Sequence, residues 1–177
     1  MGPSAVRYTD LREHLEKLGH VVEDAGNVTV PFREDAAKGA QRGARYLGAI
    51  TAVCTDVAVQ VRSALEAGQI PVVLGGDHSC AIGTWSGVHR ALRQKGPLGL
   101  IWIDAHMDSH TFATTPSGQI HGMPLACLLG HGETALTSID GAEAKLRPKN
   151  VCLIGVRSFE AGEAALLHRL GVRVFSM

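Results

Sequence analysis

Residues 104–108 read Asp-Ala-His-Met-Asp and follow directly on the apolar run Leu98-Gly99-Leu100-Ile101-Trp102-Ile103. In an extended backbone, side chains at i, i+2 and i+4 point to one side. If strand geometry persists, Asp104, His106 and Asp108 converge on one point. Two carboxylates and an imidazole aimed together repel one another and lose hydration unless a cation sits between them. The spacing therefore predicts a metal site at the end of a buried strand. The competing reading of the same residues is a hydrogen-bonded turn with no ion.

Two further segments carry groups of the same kind. Gly75-Gly76-Asp77-His78-Ser79 follows the apolar stretch Ile70–Leu74, and its glycines allow a tight turn and close backbone approach. Taken alone, His78 reads as a structural histidine; its weight comes from the Asp-x-His-x-Asp element. Pro116-Ser117-Gly118-Gln119-Ile120-His121-Gly122-Met123-Pro124 offers neutral hydrogen-bonding groups in Ser117 and Gln119. In the same loop His121 could move protons to or from a leaving group. A ligand set of imidazole nitrogen and carboxylate oxygen suits Mn²⁺, Zn²⁺ or Fe²⁺ better than Ca²⁺. A carboxylate bridging two such ions, roughly 3.5–4 Å apart, would make a two-metal hydrolytic site.

The elements that must position these residues alternate between strand and helix. Helical spacing is expected over about 4–18, from Leu11, Leu15 and Leu18, and over about 35–67, from Leu47, Ile50, Val53, Val57 and Val61. Further helices are expected near 79–94, around Leu125–Leu129 and over 160–170, where Gly171 is a stop. Strands are expected at about 20–24, 70–74, 98–103, 151–154 and 172–175, with loops at 25–34 and 104–121 and a mixture over 131–149. Near-continuous apolar strands between helices indicate a parallel α/β sheet. In such sheets ligands bind outside the carboxyl ends of the strands, where the Gly-Gly-Asp-His and Asp-x-His-x-Asp segments fall.

Length and composition set the limits. At 177 residues, one domain over 1–177 is expected. Hydrophobic residues are 45% and charged residues 19%, as in soluble globular proteins. Lys+Arg and Asp+Glu are both 17, so no net charge favours nucleic acid or an anionic membrane. The apolar runs are too short to span a bilayer, and Met1-Gly2-Pro3-Ser4 lacks a secretory pattern. Four scattered cysteines (Cys54, Cys80, Cys127, Cys152) read as reduced thiols of a cytoplasmic protein.

Gly-Gly-Asp-His-Ser at 75–79, Asp-Ala-His-Met-Asp at 104–108 and Ser-Gly-Gln-Ile-His-Gly-Met-Pro at 117–124 resemble, in order, the motifs of the ureohydrolases. The third is closer to arginase than to agmatinase, and nearly the whole chain is arginase-like. The resemblance implies an α/β fold, three-layer α/β/α with a mainly parallel sheet. It implies hydrolysis of L-arginine to L-ornithine and urea, as in the urea cycle, by hydroxide held on a binuclear Mn²⁺ centre. By position, His78 and Asp108 would bind one manganese and His106 the other, with Asp104 bridging. Asp108 would also orient the hydroxide, and His121 would be the proton shuttle. Ser117 matches a contact to the substrate's α-carboxylate. Gln119 stands where arginases commonly have Asn, and His110 where animal arginases have another Asn. Glu160 and Glu163 match the acidic pair that receives the α-ammonium. On residue type alone, those two read as a solvated helix face. Trimers or hexamers are common in the family.

The resemblance also shows what the sequence lacks. Arginases carry a later Ser-Phe-Asp-x-Asp-type motif, yet beyond His121 this sequence has a single aspartate, Asp140. A later glutamate that grips the guanidinium has no counterpart, nor has a strand that precedes the Gly-Pro found at Gly2-Pro3. The fold is expected to be incomplete and this polypeptide to have little or no arginase activity by itself. Two alternatives accompany this reading: another guanidino substrate such as agmatine or guanidinobutyrate, or a catalytically dead metal-binding or assembly protein.

Overall fold

The computed structural model describes residues 2–32 and 46–177. Three parallel strands form its sheet: β1 (Leu100–Ile103), β2 (Val151–Val156) and β3 (Arg173–Ser176), in the order β1-β2-β3. The expected strands at 98–103, 151–154 and 172–175 are these three. Side chains alternate across the sheet. Leu100, Trp102, Val151, Leu153 and Val156 face a core built with Ala81, Leu125, Leu128, Leu129, Leu146 and Leu167. On the other side Ile101, Ile103 and Ile154 are exposed. The fold is the incomplete α/β arrangement expected, with helices on one face of the sheet.

Seven helices are described: α1 (Gly2–Arg7), α2 (Leu11–Lys17), α3 (Leu47–Glu66), α4 (Cys80–Leu92), α5 (Pro124–Leu128), α6 (Thr134–Thr137) and α7 (Ala161–Leu170). Short 3₁₀ turns lie at Ile120–Gly122 and Pro148–Asn150. The single helix expected over 4–18 is two short ones, because Asp10 takes a left-handed backbone (φ 54°) between them. The expected start of the long helix near residue 35 lies outside the described residues. Residues 20–24 and 70–74 carry a strand-like pattern but form no ladder among the described residues. An apolar run becomes a strand only when another strand supplies its hydrogen-bond partners.

α3 and α4 pack against each other unusually closely. A Cβ built on Gly83 would lie 2.3 Å from the Cys54 carbonyl oxygen, and one on Gly87 would lie 2.3 Å from that of Ala58. Only glycine allows such an approach. Around it, Cys54, Ala58, Ile82, Ile120, Met123, Cys127, Leu136 and Ile139 form a second core. All four cysteines are free. Burial pushes the Cys54 thiol up to about 11 and that of Cys127 up to about 12. No described helix is long and apolar enough to cross a membrane.

Candidate metal centre

β1 ends at Ile103, and the strict extended geometry expected to align Asp104, His106 and Asp108 does not persist through 104–108. Other devices bring the groups together. Asp104 keeps one ladder bond, its N–H donating to the Ile154 carbonyl at 3.1 Å. Its own Oδ1 then accepts the backbone N–H of His106 at 3.0 Å, which bends the chain. Ala105 is pinned from β2's end, its carbonyl accepting N–H groups of Arg157 and Ser158 at 2.9 and 3.0 Å. Asp108 sits in the left-handed region (φ 48°), which re-aims its side chain. A non-glycine residue held there costs energy, and such residues cluster at functional sites.

The outcome is a shared carboxylate. Asp104 faces His78 Nδ1 with Oδ2 at 2.8 Å and His106 Nδ1 with Oδ1 at 3.3 Å. Asp108 Oδ2 also reaches His78 Nδ1, at 2.7 Å. One imidazole N–H cannot point at two carboxylates at once, and buried Asp108 Oδ2 has no aligned hydrogen-bond donor. Ligand atoms of His78, Asp104 and Asp108 all lie within 4.8 Å of one another. An orphaned buried oxygen beside a converging nitrogen and a second carboxylate fits a divalent cation. Asp108 above all, then Asp104, raises the proton affinity of His78 despite burial. His78 is also stacked on Trp102 of β1, with centroids 4.2 Å apart, a contact no sequence pattern announced.

The turn bearing His78 is fixed at both sides. Asp77 Oδ1 accepts the Ser79 backbone N–H at 2.9 Å and the Ser79 hydroxyl, and the Cys54 thiol donates to the Ser79 carbonyl at 3.3 Å. The third motif is tied to the second: His110 N–H donates to the Gly122 carbonyl and Leu125 N–H to that of Asp108, both at 2.9 Å. Ser117, Gln119 and His121 are exposed, and line a cavity of about 750 Å³ with Asp77, Ser79 and Tyr46. Its wall does not include His78, Asp104, His106 or Asp108.

His110, Glu160 and Glu163 form a second cluster. His110 is buried, with Nε2 2.9 Å from Glu160 Oε2 and 3.4 Å from Glu163 Oε2, and Nδ1 3.1 Å from the Thr114 hydroxyl. Glu163 is 3% exposed, so the solvated-face reading is wrong for it. The reason is local. Glu160 and Glu163 form a capping box at the start of α7: Glu163 accepts the Glu160 N–H at 3.0 Å, and also the Ser109 N–H at 3.1 Å. Desolvation raises the Glu163 carboxyl, whereas the His110 hydrogen bond holds exposed Glu160 below its usual range. The Glu-x-x-Glu spacing before an apolar helix was the signal for this box.

Comparison with known proteins bears on all of this. The Arginase family model matches residues 1–177. Among curated relatives, the arginase of Bacillus caldovelox is 43% identical over 177 residues, covering 100% of this chain and 58% of that protein. The arginase of Brevibacillus brevis is 42% identical, with the same coverages. Of solved structures, the native arginase of Bacillus caldovelox superposes with a TM-score of 0.93, over 99% of this chain and 58% of that one. The Entamoeba histolytica arginase, solved in complex with L-ornithine, gives a TM-score of 0.83 at 29% identity, over 99% of this chain and 57% of that one. The chain thus spans somewhat over half the length of the relatives it matches.

Proposed function

The chain belongs to the arginase family, and from that premise we propose that it carries most of a manganese-dependent centre for splitting L-arginine and water into L-ornithine and urea. The observation that carries this reading is the two-sided engagement of Asp104, one oxygen toward His78 and the other toward His106. That is how a carboxylate bridging two cations must face. His78, Asp104 and Asp108 would hold one ion, and His106 and Asp104 the other. When bound, such a pair lowers the pKa of water between the ions and so supplies a nucleophile at neutral pH.

The chain's own residues supply the rest. Asp108, buried and strained toward the site, would orient such a nucleophile by accepting its hydrogen. His121 delivers a proton to the departing amine nitrogen. Glu160 receives the substrate's α-ammonium, with Glu163 and His110 fixed behind it, while Ser117 and Gln119 meet the α-carboxylate. L-Ornithine bound by the Entamoeba histolytica relative supports an amino-acid substrate. Four unpaired thiols support a reducing, cytoplasmic setting. We read residues 1–177 as a single partial domain, and trimers or hexamers as the family's assembly.

Four ligand residues cannot fill two coordination shells, so the chain alone should be weak or inactive. The test pairs two measurements on the 177-residue chain. Mn²⁺ titration followed by electron paramagnetic resonance should show weak binding that Asp104→Asn abolishes. Urea release from L-arginine should stay at background. Turnover matching a complete arginase would refute the second expectation. Unchanged Mn²⁺ binding in Asp104→Asn would refute the bridging assignment.

A further inference from the structure

We propose that Trp102 is a positioning residue of the candidate metal centre: its indole face fixes the plane of the His78 imidazole and so aims Nδ1 at the space between Asp104 and Asp108. This role rests on the reading of His78 as a metal ligand given above.

A metal-binding imidazole must have its ring in place and its lone pair, which lies in the ring plane, pointing at the ion. Backbone contacts settle the first requirement. The turn at 77–79 is held by the Asp77 carboxylate and by the Cys54 thiol. Neither contact reaches the His78 ring, which stands two rotatable bonds further out. Ligating histidines are ordinarily oriented by a hydrogen bond from the second ring nitrogen to a carboxylate or carbonyl. Among the described residues only Nδ1 of His78 is engaged, by Asp104 at 2.8 Å and Asp108 at 2.7 Å. Contacts at one atom leave a ring free to rock about it. Close packing on all sides does not hold it either, because the His78 side chain is 39% exposed.

The stack supplies the missing constraint. The two ring centroids lie 4.2 Å apart and the planes differ by 26°. Faces that close are in contact, so tilting the imidazole drives one edge into the indole and opens a gap at the other. The platform itself is rigid. Trp102 is 4% exposed, sits beside Leu153 in the β1–β2 register, and shares a core with Ala81 of the helix that follows His78. Ile101 and Ile103, the exposed residues of β1, lie on the other side of the sheet. A further observation separates this role from simple filling of space. The Trp102 Nε1 is buried with no hydrogen-bond partner among the described residues. An orphaned N–H is unfavourable, and phenylalanine or leucine at the same place would not carry one. What tryptophan adds is a wide aromatic face beneath the imidazole.

The experiment uses the 177-residue chain and compares Trp102→Leu and Trp102→Phe with the parent. Without metal, ring-current shielding should move the His78 ring protons upfield in the parent, and Trp102→Leu should return them to the position of a free imidazole. In Mn²⁺ titrations followed by electron paramagnetic resonance, Trp102→Leu should weaken binding roughly tenfold or more. Trp102→Phe keeps a smaller face and drops the orphaned N–H. It should weaken binding roughly threefold while its urea midpoint stays at or above the parent's. Where Trp102→Leu does not fold, Trp102→Phe carries the test. In a His78→Ala background neither substitution should change Mn²⁺ affinity further, since Trp102 acts through that ring. Affinity equal to the parent's in both variants would overturn the proposal. So would the same loss with and without His78, which would mark Trp102 as merely structural. A parent that binds no Mn²⁺ would defeat the metal reading instead. The metal-free spectra would then decide the stack by themselves: His78 protons at the free-imidazole position in the parent would overturn it.

Discussion

Gly83→Ala tests whether the close helix pair sets the position of His78. The added Cβ would stand 2.3 Å from the Cys54 carbonyl oxygen and 2.9 Å from that residue's carbonyl carbon and Cα. Ordinary contact begins at 3.4 Å, so α3 must retreat by about an ångström. No rotamer can relieve the clash, because every atom it meets is backbone. Overpacking of this kind costs about 3 kcal/mol at the upper end. Replacing glycine within a helix returns about 1 kcal/mol. The net loss is then about 2 kcal/mol, or a fall in Tm of roughly 6 °C for a chain of this size. The retreat also pulls the Cys54 thiol from the Ser79 carbonyl, next to His78. Mn²⁺ affinity should therefore drop severalfold along with stability. Urea denaturation followed by circular dichroism, with Mn²⁺ titration of the folded variant, measures both. A variant as stable as its parent, binding Mn²⁺ equally well, would refute the reasoning.

Three other outcomes follow from the same structure. Bound Mn²⁺ should quench tryptophan emission through the His78–Trp102 stack, and Asp108→Asn should lower the apparent affinity by roughly tenfold or more; equal quenching in that variant would remove Asp108 from the ligand set. Lys145 is 3% exposed and its Nζ donates to the carbonyls of Thr137 at 3.1 Å, Glu143 at 2.7 Å and Gly141. Lys145→Met should cost about 3 kcal/mol, since it leaves these carbonyls short of a donor; a loss under about 1 kcal/mol in urea denaturation would sink that account. Glu143 is held down to about 2, first by its own backbone N–H and then by His89 and Arg93. A depressed carboxylate contributes stability above its ordinary pKa, and that contribution is lost as pH falls from about 4.5 towards about 2. The stability gap between the parent and Glu143→Gln should narrow as pH falls from about 5 to about 2, and a constant gap over that range would contradict it.

The convergence of residues at the candidate metal centre was legible in the sequence, but for a reason that holds only in part. Period-two spacing singled out Asp104, His106 and Asp108, whereas the strand stops at Ile103 and an Asp104 turn with a left-handed Asp108 completes the convergence. Backbone reversals of that kind depend on tertiary hydrogen bonds, here from Arg157 and Ser158, which lie some fifty residues away. Residues 70–74 show the opposite case. Their composition is that of a strand, but a ladder is a property of two segments and cannot be read from one. The buried Lys145 gave no local signal, because its cage of carbonyls is formed by a loop closing on itself. Glu163 did give one in the Glu-x-x-Glu spacing, but charge alone suggested a wet helix face.

The candidate centre is assembled from three separately anchored pieces, each held by residues of this chain. His78 is set by a turn clamped between α3 and α4. Asp104 and His106 are set by β1 and its neighbour β2. The loop with His121 is laced to residues 108–110 by two backbone hydrogen bonds. None of these anchors uses the open face of the sheet. The positions of His78, Asp104, His106 and Asp108, the proposed ligands, are thus decided by packing within the chain, while the filling of a cation's coordination shell is not. Two carboxylates held 2.7–2.8 Å from one imidazole nitrogen are a repulsive arrangement that the surrounding core must sustain. A bound divalent ion removes that repulsion, so metal should stabilise the fold as well as arm it. Mn²⁺ added to the chain should raise the denaturation midpoint, and Asp104→Asn should abolish the increase while raising the midpoint of the metal-free protein.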